Sequence, residues 1–107
     1  MGEIVSIEAP KPYKDTSICD GVWVRKFSPN ESSEDYVWHR DCEDRSITVL
    51  DGCGWMFQFD NELPFFINKD DEFFVPKMVY HRIIPGTTSL RIKIDEMVEQ
   101  TTKFAIA

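Results

Sequence analysis

Cysteine, basic charge and long apolar runs are all scarce in this sequence of 107 residues. The three cysteines, Cys19, Cys42 and Cys53, form no CxxC pair, and their odd number argues against a disulfide framework. No stretch approaches the roughly 18 apolar residues that a membrane-spanning helix needs, and the first residues lack the basic head and apolar run of a secretory signal. We therefore expect a protein of the reducing cytoplasm that does not enter a membrane.

Acidic side chains outnumber basic ones: the chain has 19 Asp and Glu and 12 Lys and Arg, so its net charge is −7. No part of the sequence gathers the basic residues into a stripe. A phosphate backbone or an anionic bilayer would therefore be repelled overall. This balance excludes nucleic acid and membrane surfaces from the expected partners.

Helical periodicity is scarce as well, and alternation of apolar and polar residues replaces it. The alternation is clearest over 89–95, where Leu90, Ile92 and Ile94 take turns with polar residues, as a half-buried strand requires. Segments rich in Val, Ile, Phe, Trp or Tyr predict further strands over 3–8, 21–27, 35–40, 45–50, 54–59, 63–67, 72–75 and 79–84. About eight or nine short strands predict an all-β barrel or jelly roll in one domain, 1–107.

Two segments lack this alternation. Residues 28–34 contain no apolar side chain that could anchor them, which predicts a mobile loop. In 95–103, Asp95 could cap a helix with Met97, Val98 and Thr101 on one face, so a short helix is expected there.

Aromatic residues predict the core and one interface. Trp55, Phe57 and Phe59 alternate with polar or flexible residues and are expected to lie inside the barrel. Cys42 is expected to be a buried, inert thiol. The segment before residue 35 carries more apolar residues than a barrel edge should expose to water, which predicts a homodimer; they are Ile4, Val5, Ile7, Val22, Trp23, Val24 and Phe27.

Histidine is the rarest of the chemically active residues, with two in the chain. Residues two apart on a strand share a face, so His39 and Asp41 can offer an imidazole nitrogen and a carboxylate to the same ion. If His81 comes from a neighbouring strand, the three form the two-histidine, one-carboxylate arrangement that holds Fe(II) and leaves positions open for substrate or oxygen.

From about 35 to 95 the sequence resembles the cupins, which carry two motifs. The first, over about 39–52, has the form His-x-His, a few residues, a Glu, six residues and a Gly; here it reads His39-Arg40-Asp41, then Arg45 at the Glu position, and closes at Gly52. The second, over about 70–81, has the form Gly-Asp, four residues, Pro-x-Gly, two residues and His; here Asp71, Pro76 and His81 match.

The resemblance implies a double-stranded β-helix, or jelly-roll barrel, with a metal site inside that draws residues from both motifs. His39, Asp41 and His81 would hold a divalent transition metal, Fe, Mn, Zn or Ni. Asp41 replaces the usual second histidine, and its carboxylate would still be a suitable hard ligand for Fe(II) or Mn(II). Asp70 and Met78 stand where glycines are usual in the second motif, which suggests altered turns.

Arg45 is the departure with chemical consequences, because a guanidinium stands where a glutamate ligand is usual and cannot coordinate an ion. In one interpretation it faces the cavity and binds the carboxylate or phosphate of a small substrate through two hydrogen bonds. In the other it pairs with Asp41 and replaces the metal.

Two functions follow from these interpretations. The first is a small metal-dependent enzyme, an oxygenase or isomerase, that acts on a small anionic molecule. A variant of it is a 2-oxoglutarate-type oxygenase with Arg91 as the cosubstrate-binding base, although the short chain argues against this variant. The second is a metal-free, non-catalytic cupin that binds a ligand or serves as an assembly subunit.

Overall fold

The computed structural model describes residues 13–29 and 36–97. These residues form eight strands: β1 (Tyr13–Cys19), β2 (Val22–Phe27), β3 (Asp44–Asp51), β4 (Met56–Phe59), β5 (Phe65–Phe66), β6 (Glu72–Val75), β7 (His81–Ile84) and β8 (Leu90–Met97). They include no helix that is long and apolar enough to cross a membrane.

The strands form two antiparallel sheets with the core between them. One sheet has the order β1-β2-β8-β3-β6, and the other has the order β5-β4-β7. Along β8 the side chains of Leu90, Ile92 and Ile94 are buried while those of Arg91 and Asp95 are exposed, which is the predicted alternation. This architecture confirms the all-β fold expected from the sequence.

Aromatic rings join the two sheets across the core. Trp55 is fully buried, its ring centroid lies 5.8 Å from that of Phe27, and its Nε1 donates a hydrogen bond to the Thr88 carbonyl (2.6 Å). Phe57 on β4 contacts Phe73 on β6 with centroids 4.9 Å apart. Each large side chain removed from water in this way contributes about 1.5–3 kcal/mol to folding. The core predicted for Trp55, Phe57 and Phe59 is confirmed.

Strand β1 is the element that the sequence did not predict. Its central side chains are exposed, and among the strands that the structure describes it pairs with β2 alone, at the edge of the five-stranded sheet. An edge strand whose side chains are mostly exposed to water can form without alternating apolar and polar residues. The pattern that revealed the other strands is therefore missing from residues 13–19.

Two other predictions are wrong in the described ranges. Residues 36–40 form no strand apart from a single bridge at His39. The helix expected over 95–103 does not begin at Asp95, because β8 continues through Met97. Its remainder, the strand over 3–8 and most of the loop over 28–34 lie outside the described residues, as do Ile4, Val5 and Ile7; the homodimer stays a prediction.

The turns of the second motif keep the conformation that glycine would adopt. Asp70 has φ of 76° and Met78 has φ of 65°, both in the left-handed region. The Asp70 N–H donates to the Val49 carbonyl (2.8 Å), and the Met78 N–H donates to the Asp41 carbonyl (2.7 Å). Asp70 and Met78 therefore adopt a backbone conformation that favours glycine, and the altered turns suggested by the sequence stay a prediction.

Met78→Gly should stabilise the protein by up to about 1 kcal/mol. The left-handed conformation costs a side chain about 1–2 kcal/mol, and the greater flexibility of unfolded glycine offsets part of that gain. Urea unfolding measures the change. Lys77→Gly is the matched control, because Lys77 has no positive φ, so that variant should lose stability. Equal losses in both variants would contradict the prediction.

Candidate metal centre

His39 and His81 face each other because their backbones form an isolated antiparallel bridge. The His39 N–H donates to the His81 carbonyl (3.0 Å), and the His81 N–H donates to the His39 carbonyl (2.8 Å). The bridge places the two rings with centroids 4.3 Å apart. A residue on the segment before β3 and the first residue of β7 are thereby brought to one point.

Asp41 completes the group. One of its oxygens, Oδ2, lies 3.3 Å from His81 Nε2, and the two Nε2 atoms are 3.0 Å apart. One ligand atom from each of the three residues lies within 4.8 Å of the others. The three residues predicted from the sequence to share a site are therefore together, on a segment that forms only a bridge instead of the predicted strand.

Hydrogen bonds fix which ring nitrogens can bind a cation. His81 Nδ1 lies 2.9 Å from the Val79 carbonyl, and His39 Nδ1 lies 3.3 Å from the Val37 carbonyl. A carbonyl only accepts, so each Nδ1 carries a proton and each neutral ring keeps a lone pair on Nε2. Two lone pairs 3.0 Å apart repel each other unless a proton or a metal ion lies beside both.

The Asp41 carboxylate also has an oxygen without a hydrogen-bond donor. Asp41 Oδ2 is buried and has no hydrogen-bond partner, although buried oxygens of this kind nearly always have one. Two ligands at right angles on one ion lie about 3 Å apart when each is about 2.1 Å from it. Two of the three separations, 3.0 and 3.3 Å, match this value, and the three side chains form a group that could hold a metal ion.

The burial of the site keeps His81 neutral. Burial lowers the pKa of His81 below its ordinary value of 6.5, and nearby His39 lowers it further, against opposing effects of the Val79 carbonyl and Asp41. The contact between His81 and Asp41 is therefore not a charged salt bridge near neutral pH. A neutral imidazole is the form that binds metal.

The metal-free protein should gain stability as the pH rises toward and past 6.5. Unfolded His81 takes up a proton below its ordinary pKa of 6.5, whereas the folded ring does so only at lower pH. The unfolded state therefore binds more protons in this window, and the free energy of unfolding increases with pH. Urea unfolding with EDTA present, at pH 5 and pH 7.5, measures the increase. His81→Gln should show a smaller one; an equal increase would contradict the assignment.

Arg45 lies beside the three ligands and is itself held by two carboxylates. Its Nη1 is 3.2 Å from Asp41 Oδ1, and its Nε and Nη2 lie 3.2 and 3.1 Å from Glu96 Oε2. The guanidinium also lies 5.2 Å from the centre of the Trp23 ring. Arg45 therefore occupies one oxygen of Asp41 and leaves the other directed at the histidines.

Glu96 is the site residue that sequence reasoning missed. It is directly opposite Arg45 in the pairing of β3 with β8, 51 residues along the chain. The sequence prediction placed it in a helix, where it would have had no relation to Arg45. A predicted strand over 90–97 would have placed Glu96 in a sheet, where it could lie opposite Arg45.

His39, Asp41 and His81, the candidate metal group, line a cavity of about 440 Å³, a size typical of small-molecule sites. His39 is exposed and His81 is buried, so the group lies between solvent and the interior. The cavity is lined by Tyr13, Arg25, Phe27, Tyr36, Val37, His39, Asp41, Arg45, Ile47, Phe57, Val75, His81, Ile83, Ile92 and Ile94. Cys42 does not line it and is exposed, so the buried thiol expected from the sequence is wrong.

Comparisons with known proteins give no match to a protein-family model and none among curated proteins. A cupin domain from Bordetella pertussis superposes with a TM-score of 0.60 at 17% identity, over 85% of this chain and 100% of that domain. For a cupin-like protein from Thermotoga maritima the TM-score is 0.56 at 20% identity, over 72% of this chain and 56% of that one. For the Fe(II) form of HppE the TM-score is 0.59 at 15% identity, over 71% of this chain and 41% of that one.

The chain thus spans about half or less of the length of two of these proteins. At such low identities the likeness concerns the arrangement of the strands, and it agrees with the two facing sheets and with the motifs around His39 and His81. The chain therefore has the cupin fold.

Proposed function

We propose that this protein binds a divalent transition metal through His39, Asp41 and His81 and a small anionic ligand in the adjoining cavity. The observation that carries the proposal is the convergence of three candidate ligand atoms, the two Nε2 atoms 3.0 Å apart and Asp41 Oδ2, which has no hydrogen-bond partner. With a proton on each Nδ1 all three atoms are acceptors, and one cation can bind all of them.

The metal would supply Lewis acidity, or oxygen chemistry if it is iron, at positions left open by three protein ligands. The chain's own residues position it. Val37 and Val79 carbonyls orient the imidazoles, and such outer hydrogen bonds raise the basicity of a ligand. HppE, which has a similar fold, holds Fe(II); an oxygenase and an isomerase are the two reaction classes we propose.

The role of Arg45 toward the ligand is part of this proposal. Arg45 lines the cavity, so its guanidinium can contact a bound anion, but it does so while shared with Asp41 and Glu96. We expect Arg45→Ala to weaken binding of an anion and to spare the metal.

Metal loading tests the proposal. Protein stripped with EDTA and dialysed against Mn(II), Fe(II), Co(II), Ni(II) or Zn(II) should retain about one ion per chain for at least one of these metals. Arg45→Ala should retain the same amount. Elemental analysis after gel filtration gives the count, and wild-type protein that retains none of the five metals contradicts the proposal.

One observation favours the metal-free alternative, the 3.2 Å contact between Arg45 and Asp41. A fixed positive charge beside the carboxylate can take the place of the ion. In that case the protein would be a non-catalytic binding or assembly cupin, and metal binding would be absent from the wild type and present in Arg45→Ala. The same dialysis experiment separates the two functions.

A further inference from the structure

The wall of the cavity is apolar directly beside the proposed metal group. The ring of Phe57 stacks on that of His81 with centroids 5.3 Å apart and an angle of 20° between the planes. Ile47, Ile83 and Ile92 line the same space, and each is more than nine-tenths buried. A ligand that reaches the metal group therefore places the rest of its body against hydrocarbon.

Both arginines in the wall are already neutralised. Arg45 donates to Glu96 through Nε and Nη2. Arg25 donates to the carboxylate of Asp15 through Nε (2.7 Å) and Nη2 (2.9 Å), and its guanidinium lies 3.7 Å from the centre of the Tyr13 ring. Each arginine forms a neutral pair, so neither leaves a spare positive charge for a ligand.

The remaining charge of the site is small. A divalent ion carries two positive charges and Asp41 cancels one of them, which leaves one net positive charge at the metal. One negative charge on a ligand balances it. A second negative charge on the part of a ligand that lies inward from the metal would be against the isoleucines, where an unpaired charge is strongly disfavoured.

We propose that the cavity binds a small monocarboxylate with a branched aliphatic or aromatic body, its carboxylate at the metal and its body against Phe57, Ile47, Ile83 and Ile92. This inference rests on the proposed metal site and narrows the anionic ligand expected there. It disfavours dicarboxylates and phosphate, including the cosubstrate of a 2-oxoglutarate-type oxygenase.

Calorimetric titration of the Co(II)-loaded protein tests the inference. The ligands are isovalerate, 3-phenylpropionate, succinate and inorganic phosphate at pH 7.5, with the cobalt content measured before any acid is added. Isovalerate or 3-phenylpropionate should bind at least about 10-fold more tightly than succinate or phosphate, because only the monocarboxylates bury apolar groups without a second charge.

Glu96→Gln provides the sharper comparison. This variant removes the negative charge that neutralises Arg45. The affinity for succinate relative to that for the monocarboxylates should therefore rise about 10-fold. Asp51→Asn is the matched control, since Asp51 accepts hydrogen bonds from Arg91 in a similar pair on the exposed surface. That variant should keep the wild-type preference.

The outcomes separate the two proposals. Wild-type protein that retains none of the five metals contradicts the metal site itself, and protein that takes up another of them in place of cobalt is titrated with that metal. Loaded protein that binds succinate or phosphate as tightly as the monocarboxylates, or binds none of the four acids, overturns the ligand class and leaves the metal site standing. If Glu96→Gln does not fold, the wild-type order of affinities decides alone.

Discussion

His81→Ala should lower the affinity for the loaded metal by at least about 100-fold. Removal of an outer-shell partner of a metal ligand already costs 10- to 100-fold, and His81 is proposed as a direct ligand with a preset lone pair on Nε2. The loss should be the same in His81→Phe, which keeps an aromatic ring against Phe57 but has no nitrogen. Competition with a fluorescent chelator measures the affinities.

His81→Phe separates ligation from folding. Because the phenylalanine fills the buried space, a loss of metal in this variant with an unchanged unfolding transition locates the effect at the nitrogen. Undiminished metal affinity in either variant would show that the ion binds elsewhere.

Gly86→Ala should destabilise the protein by more than about 3 kcal/mol. A Cβ atom at Gly86 would lie 2.2 Å from the Cys53 carbonyl oxygen, 2.5 Å from the Gly54 carbonyl carbon and 2.6 Å from the Trp55 nitrogen. All three are backbone atoms, so no side-chain rotation relieves the overlap. Urea unfolding measures the loss, or shows that the variant has no folded state.

Gly54→Ala is the control for this prediction. Gly54 has φ of 80°, but the nearest atom to an added Cβ is 3.6 Å away. Only the conformational cost of about 1–2 kcal/mol applies there. If Gly86→Ala lowers the free energy of unfolding no more than Gly54→Ala does, the backbone at Gly86 does not pack against residues 53–55 as closely as the structure shows.

The fold could be predicted from the sequence wherever one face of a strand is buried and the other is not. β8 shows this most clearly, because Leu90, Ile92 and Ile94 are buried while Arg91 and Asp95 are exposed. β1 could not be predicted, since an edge strand that is exposed along most of its length needs no apolar residues. The motif positions also placed Asp70 and Met78 at turns, but only the structure shows that both adopt positive φ.

Some residues of the candidate site could likewise be predicted from the sequence, and one could not. His39, Asp41 and His81 could be found because histidine is rare and the motif spacing is local. The second carboxylate partner of Arg45 could not be found, because the contact with Glu96 depends on the register between β3 and β8. That register changes the electrostatics of the site, since it adds a carboxylate to the arginine that the sequence left either facing a substrate or paired with Asp41.

Anomalous diffraction from a crystal of Mn(II)-loaded protein tests the central claim most directly. The account predicts one strong peak about 2.0–2.3 Å from His39 Nε2, His81 Nε2 and Asp41 Oδ2, with Arg45 still bound to Glu96. The contradicting result is a map without a peak at these three atoms, in which the guanidinium of Arg45 remains on Asp41 as the only cation beside that carboxylate.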